Sequence, residues 1–326
     1  MLWLAGILGL MAAGTVGVLQ ISDAGSDDGD APAGGGDTND DTTTVTSVTD
    51  LVSDPDDDPP AHDDGEEIEP PVEVEGLTIG SDADETLAGD DGNDTIMGAG
   101  GDDVVDGLGG DDSLQGGDGD DLIDAGAGAD EVFGNNDNDT ITGGAGADAL
   151  HGSAGADMVD GGADDDVVWG GLDDDTLTGG AGEDTVFGGF GDDLISGVET
   201  DGGSDTDSGD FLNGGDGDDT IIAGNDDVVT AGEGADDIVL GDWITQGAAA
   251  DVIDFNADED DIILVYDDAG DAPELNLSPD PDAPDVMHVL MDGVTVAHVS
   301  GGAGLALSDV TVMPLSAAQD AGFAPL

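Results

Sequence analysis

An aspartate returns every nine residues along the middle of this chain: Asp94, Asp103, Asp112, Asp121, Asp130, Asp139, Asp148, Asp157, Asp166, Asp175, Asp184 and Asp193. The series continues, out of strict step, at Asp210, Asp219, Asp227 and Asp236. Carboxylates repeated at a fixed interval present hard oxygen donors in register, which suits a hard divalent cation that collects six to eight oxygens. Each Asp is the sixth residue of a unit such as GGDGDDLID (116–124), so a Gly-rich hexad leads into it. Glycine takes backbone angles that other residues resist, so the hexad can turn sharply and aim its carbonyls at a common point. Such carbonyls add neutral oxygens to the charged ones.

The elements that must hold these carboxylates are legible in the same repeat. Two residues after each regular Asp stands an aliphatic: Ile96, Val105, Leu114, Ile123, Val132, Ile141, Leu150, Val159, Val168, Leu177, Val186 and Ile195. A three-residue strand with its middle side chain inward and its neighbours outward fits that pattern. Two units then make one coil of eighteen residues, with residues i and i+18 stacked about 4.8 Å apart. Alternate Asp residues fall into two columns. At that separation neighbouring carboxylates repel by roughly 1 kcal/mol in water and about 3 kcal/mol at an effective dielectric near 20. Summed along two columns, the repulsion rivals the about 5–15 kcal/mol that stabilises a domain. A cation between coils is therefore expected, and calcium is favoured over magnesium, which demands stricter octahedral geometry and releases water reluctantly.

Imperfect copies flank the run. GSDADETLA (80–88) carries Glu85 and Leu87 in the two key positions, and residues 197–213 form a copy stretched to seventeen by an eight-residue polar insertion near 198–207. Asp227 with Val229 comes one residue early, and Asp137, Asp164 and Asp173 replace the fourth-position Gly.

These units resemble the repeats-in-toxin (RTX, haemolysin-type) calcium-binding nonapeptide of secreted proteins. The resemblance implies an all-β fold, a right-handed parallel β-roll over 77–243, with several Ca²⁺ between successive loops. It makes the sixth-position Asp residues, from Asp94 to Asp236, the side-chain ligands. The C-terminal region (244–326) resembles the small β cap and uncleaved type I secretion signal of such proteins. This implies a type I secretion apparatus as partner and an extracellular or cell-surface location. The function expected is that of a calcium-binding repeat protein that folds after export, with a structural, surface or matrix role. The alternative is a non-catalytic remnant or accessory of a secreted RTX enzyme, toxin or adhesin.

Composition narrows the choice further. The 326 residues include 81 Asp and Glu and no Lys, Arg or Cys. Nucleic-acid and phosphate sites depend on Lys and Arg, so no nucleic-acid partner is expected. Disulfides and thiolate metal sites are excluded outright. No HExxH or GxSxG occurs, and no enzyme activity or catalytic residue is expected. Residues 1–21 are almost wholly apolar and long enough to cross a bilayer, which makes them a candidate membrane anchor in competition with a secretory signal or exposed apolar tail. Residues 22–76 read as a disordered acidic tether.

Four short apolar runs follow residue 241, the last two flanking Asp292-Gly293, a two-residue hairpin signal that suggests a small antiparallel cap. Of the four His residues, His62 falls in the tether and His151 at an outward ninth position. A regular hairpin would pair His288 with Ala297 and His298 with Met287, turning the two rings to opposite faces, where they could not share a metal.

Overall fold

The structure, a computed structural model, describes residues 76–323 apart from 202–203, 206–208 and 269–270. The apolar segment 1–21, all of the expected tether except Gly76, and residues 324–326 lie outside the described residues.

The alternation that begins in each aliphatic triplet runs on through the glycines of the next hexad. Strands such as Thr140–Ala145, Met158–Ala163 and Thr176–Ala181 therefore span six residues, with the aliphatic and the first glycine inward. Successive units alternate between two sheets. One holds thirteen strands and the other eleven, and the neighbours along the roll are parallel. The coil is eighteen residues: Ile96 pairs with Leu114, Leu150 with Val168 and Ile141 with Val159. The inward aliphatics stack into a ladder, and Ile96, Leu114, Ile123, Leu150, Leu177 and Ile195 are completely buried. With one aliphatic per nonapeptide, this core is a thin wall between two sheets. The Gly-rich loops at the edges must contribute to holding it.

Those loops use left-handed backbone at their fourth position, as at Gly101 (φ 97°) and Gly146 (φ 123°). Asp137, Asp164 and Asp173 adopt the same hand at φ 69°, 78° and 72°, a region that Asp tolerates better than most residues. The fourth-position replacements thus keep the turn. The stretched copy keeps the roll as well: Val186 pairs with Leu212 and Ile195 with Ile221 across the extra residues. Part of the insertion forms a short antiparallel pair, Thr200–Asp201 with Ser204–Asp205. The early copy closes in register too, with Leu212 opposite Val229 and Ile221 opposite Ile238.

The small antiparallel cap read from the sequence is present near the C-terminus, and the parallel roll runs on into the same region. Ala250–Val252 and Asp261–Tyr266 extend the two sheets in parallel, and Val294–Ser300 and Val310–Pro314 extend them again. Antiparallel pairing is confined here to Leu275–Pro279, Val286–Met291 and Val294–Ser300. The roll outlasts its glycines because Ile262, Ile263, Leu264 and Val265, all buried, supply in side-chain volume what the repeats lack. A seven-residue helix, Leu315–Ala321, follows the last strand.

The hairpin corrects one expectation. A register shift between Val289 and Leu290 places His288 directly opposite His298, not Ala297. The extra residue is accommodated because Val296 and Ala297 both turn into the core, at 1% and 0% exposure. A bulge that buries two consecutive apolar residues reverses the alternation beyond it. Both imidazoles then lie on one face, with ring centres 4.8 Å apart.

Candidate metal centre

The sixth-position Asp side chains point back along the roll. The backbone N–H of Asp94 donates to Oδ1 of Asp112, that of Asp130 to Oδ1 of Asp148, and that of Asp157 to Oδ1 of Asp175, all at 2.7–2.8 Å. The same bond joins Asp103 to Asp121, Asp112 to Asp130, Asp121 to Asp139, Asp139 to Asp157, Asp148 to Asp166 and Asp166 to Asp184. It spans 26 residues across the insertion, from Asp184 to Asp210 and from Asp193 to Asp219, and 17 in the early copy, from Asp210 to Asp227. From Asp103 onward, one oxygen of each of these Asp residues thus ties two coils together through a backbone amide.

The second oxygen is differently placed. In Asp103, Asp112, Asp121, Asp130, Asp139, Asp148, Asp157, Asp166, Asp175, Asp193, Asp219 and Asp236, Oδ2 is buried and has no hydrogen-bond partner. It sits over the first glycine of its own unit: a Cβ added at Gly116, Gly134 or Gly170 would collide with Oδ2 of Asp121, Asp139 or Asp175. A buried carboxylate oxygen without a donor is expensive unless a cation meets it.

The same loops also carry neutral oxygens. A Cβ at Gly128, Gly146 or Gly155 would strike the fourth-position carbonyl of Gly110, Gly128 or Asp137 one coil earlier, so these carbonyls are directed along the axis between loops. Orphaned carboxylate oxygens and axial carbonyls are the donor set a hard cation takes. Carboxylates on this chain therefore fit calcium, and the absence of Cys leaves no softer competitor in the loops.

The electrostatics point the same way. Burial pushes these carboxyls up from the usual 3.8, against the pull of the donated N–H. They reach about 6 in Asp121, Asp148, Asp157, Asp193 and Asp236, about 7 in Asp139, Asp166 and Asp219, and about 8 in Asp175. Neighbours in the column add to the rise, as Asp157 and Asp121 do at Asp139. Asp103, Asp112 and Asp130 shift upward for the same first cause.

The ends of the series are built differently. In Asp94, half-buried, Oδ2 accepts the N–H of Asp90 at 2.8 Å, and in Asp227 it accepts that of Gly224 at 2.6 Å. Glu85 turns both oxygens onto Ser81. One member of the series escaped sequence reasoning. Asp260 is 5% exposed, and its Oδ1 lies 3.4 Å from the N–H of Asp236. The 24-residue step hid it, although Ile262 two residues later carries the same signature.

A second ladder was also missed. Fifth-position side chains point forward, opposite to their neighbours: Oδ1 of Asp102 accepts the N–H of Asp120, Asp120 that of Asn138, and Asn138 that of Ala156. The clue was the frequent Asp or Asn at that position, at Asn93, Asp102, Asp111, Asp120, Asn138, Asp165, Asp174 and Asp192. On the outer face of one sheet, Phe133, His151, Trp169 and Phe187 stack at 4.6, 4.2 and 6.1 Å between ring centres.

Comparison with known families agrees with this geometry. The family model described as the RTX calcium-binding nonapeptide repeat (four copies) matches at 79–114, 97–132, 106–141, 133–168, 142–177, 169–199 and 201–238. No curated protein matches the chain.

Proposed function

We propose, from the premise that residues 79–238 are RTX calcium-binding nonapeptide repeats, that this is a non-catalytic extracellular protein whose roll folds when calcium becomes available after type I export. The observation that carries the reading is the row of buried, unpartnered Oδ2 atoms, in loops whose fourth-position carbonyls are directed along the axis. Calcium supplies the positive charge that offsets carboxylate burial and repulsion. The residues do the rest: Oδ1 of each Asp holds the amide one coil back, the first glycine leaves room for Oδ2, and the fourth residue turns its carbonyl along the axis.

The sixth-position Asp residues from Asp103 to Asp175, with Asp193, Asp219 and Asp236, form the working ligand set in this proposal. Asp94 and Asp227, whose Oδ2 atoms are engaged by amides, serve as closing positions. Each site is expected near the 10⁻⁴–10⁻³ M range of extracellular modules, far above cytosolic free calcium. The chain would then stay unfolded inside the cell and fold outside, where its role is structural, at a surface or in a matrix. Among the described residues no helix is long and apolar enough to cross a membrane. The test is to express the full chain alongside a variant lacking residues 241–326 and to compare calcium-dependent folding and release to the medium. Normal release of the truncated chain would contradict C-terminal export.

A further inference from the structure

The His288–His298 pair lies outside the repeats and takes no part in the calcium reading. We propose that these two imidazoles form a binding site for a borderline-soft divalent metal ion, of the Zn²⁺ or Cu²⁺ class, on the outer face of the C-terminal hairpin.

Three observations carry it. The rings face each other across paired strands at 4.8 Å between centres, tilted by 53°. With a metal–nitrogen bond of about 2.0–2.1 Å and nitrogen about 1.1 Å from the ring centre, N–metal–N angles of about 90–110° put the ring centres about 4.5–5.2 Å apart. The observed spacing falls inside that interval before any ion arrives.

Next, each imidazole is already gripped by a carboxylate. Nε2 of His288 lies 3.1 Å from Oδ2 of Asp280, and Nδ1 of His298 lies 2.8 Å from Oδ1 of Asp251. A carboxylate on one ring nitrogen fixes the tautomer and makes the other nitrogen a better ligand, the usual outer-shell arrangement of metal-binding histidines. Here that leaves Nδ1 of His288 and Nε2 of His298 outside the carboxylate bonds. The N–H groups of Asp282 and Ala283 both donate to Oδ1 of Asp280, which holds that carboxylate in place against the ring.

Finally, the pair is reachable. The side chains of His288 and His298 are 25% and 41% exposed, at the floor of an open cleft that Asp251, Asp280, Val286 and Ser300 also line. Among the described residues no set of three or more His, Cys, Asp or Glu side chains forms a ready cage, so solvent completes the coordination. Imidazole nitrogen selects this class of ion over calcium, which prefers oxygen. The surrounding negative charge raises the local concentration of any cation.

The test uses the full chain in saturating calcium, so that the roll is folded and its carboxylates engaged, with Zn²⁺ alone as the titrant in a calorimeter. The expected result is one equivalent of Zn²⁺ bound above the weak carboxylate background. That equivalent should weaken at least tenfold in His288→Gln or His298→Gln, weaken about tenfold in Asp280→Asn, and fade on acidification because imidazole must be unprotonated to bind. The calcium midpoint should not move. Zn²⁺ binding that survives both His substitutions, or that higher calcium displaces fully, overturns the proposal. Should a substitution disturb the hairpin, Cu²⁺ bound to the unmodified chain decides the matter. Its electron paramagnetic resonance spectrum should show coupling to two nitrogens, and a spectrum without nitrogen coupling overturns the site.

Discussion

Asp148 separates the two jobs assigned to the sixth position. Its Oδ1 accepts the N–H of Asp130 at 2.8 Å, while its Oδ2 is buried without a donor. Asp148→Ala removes both oxygens and leaves a buried amide unsatisfied, a penalty of about 1–3 kcal/mol with or without calcium. Asp148→Asn keeps an acceptor for that amide and removes only the charge. Burial pushes the Asp148 carboxyl to about 6 from the usual 3.8, which at neutral pH corresponds to about 3 kcal/mol against the charged form, and about 1 kcal/mol once solvent screening is allowed for. The neutral amide should therefore stabilise the calcium-free roll and weaken the calcium-loaded one.

Urea unfolding followed by circular dichroism would show this. It would be run at pH 7.5 in millimolar calcium, and again in chelator with trimethylamine N-oxide to favour burial. The expected order in chelator is Asn above both Asp and Ala, and in calcium Asp above both. If Asn is less stable than Asp in chelator, or if Ala and Asn behave alike in both, then the division of labour between Oδ1 and Oδ2 is wrong.

Three further outcomes follow from the same structure. In chelator, the folded carboxyls at about 6–8 bind more protons than unfolded ones near 3.8, so the metal-free roll is most stable in acid and loses that stability as pH rises through 6–8. Acidifying the chelated chain from pH 8 to 5 should raise its β signal, and a flat response would count against buried, cation-starved carboxylates. Deleting residues 200–207 restores a nine-residue copy, GVESGDFLN, and should leave the calcium midpoint nearly unchanged, whereas a large shift would contradict the pairing of Val186 with Leu212. His151→Ala breaks two stacking contacts, at 4.6 and 4.2 Å, and should lower the melting temperature in calcium by an amount equivalent to about 1 kcal/mol while calcium stoichiometry holds; unchanged melting would mean the stack adds nothing.

The roll was readable because its period is enforced twice, by the aliphatic that must face inward and by the Asp that must meet its counterpart one coil away. Each constraint is local and repeats with the chain, so Leu150 above Val168 follows from counting. Even the stretched copy obeys, since an insertion in a loop leaves the strands on either side in phase. What counting could not supply was direction. Nothing in the spacing says that sixth-position carboxylates reach back while fifth-position ones reach forward, because that depends on backbone orientation in each loop.

Beyond residue 241 the period lapses, and alternation alone becomes the guide. There Asp260 was lost behind a 24-residue step, and the strand Asp261–Tyr266, read with the antiparallel cap, instead pairs in parallel with the roll. The hairpin misled for a similar reason. A two-residue turn fixes the register only until a bulge intervenes, and the burial of both Val296 and Ala297 is a tertiary preference that the turn sequence does not announce.

The most direct test of the central claim is the far-UV circular dichroism of the full chain titrated from excess chelator into millimolar calcium at pH 7.5, with magnesium in parallel. The account predicts a disordered spectrum in chelator, a cooperative change to β structure as calcium approaches 10⁻⁴–10⁻³ M, and little response to magnesium at the same concentration. A β-rich spectrum that excess chelator leaves unchanged would contradict it.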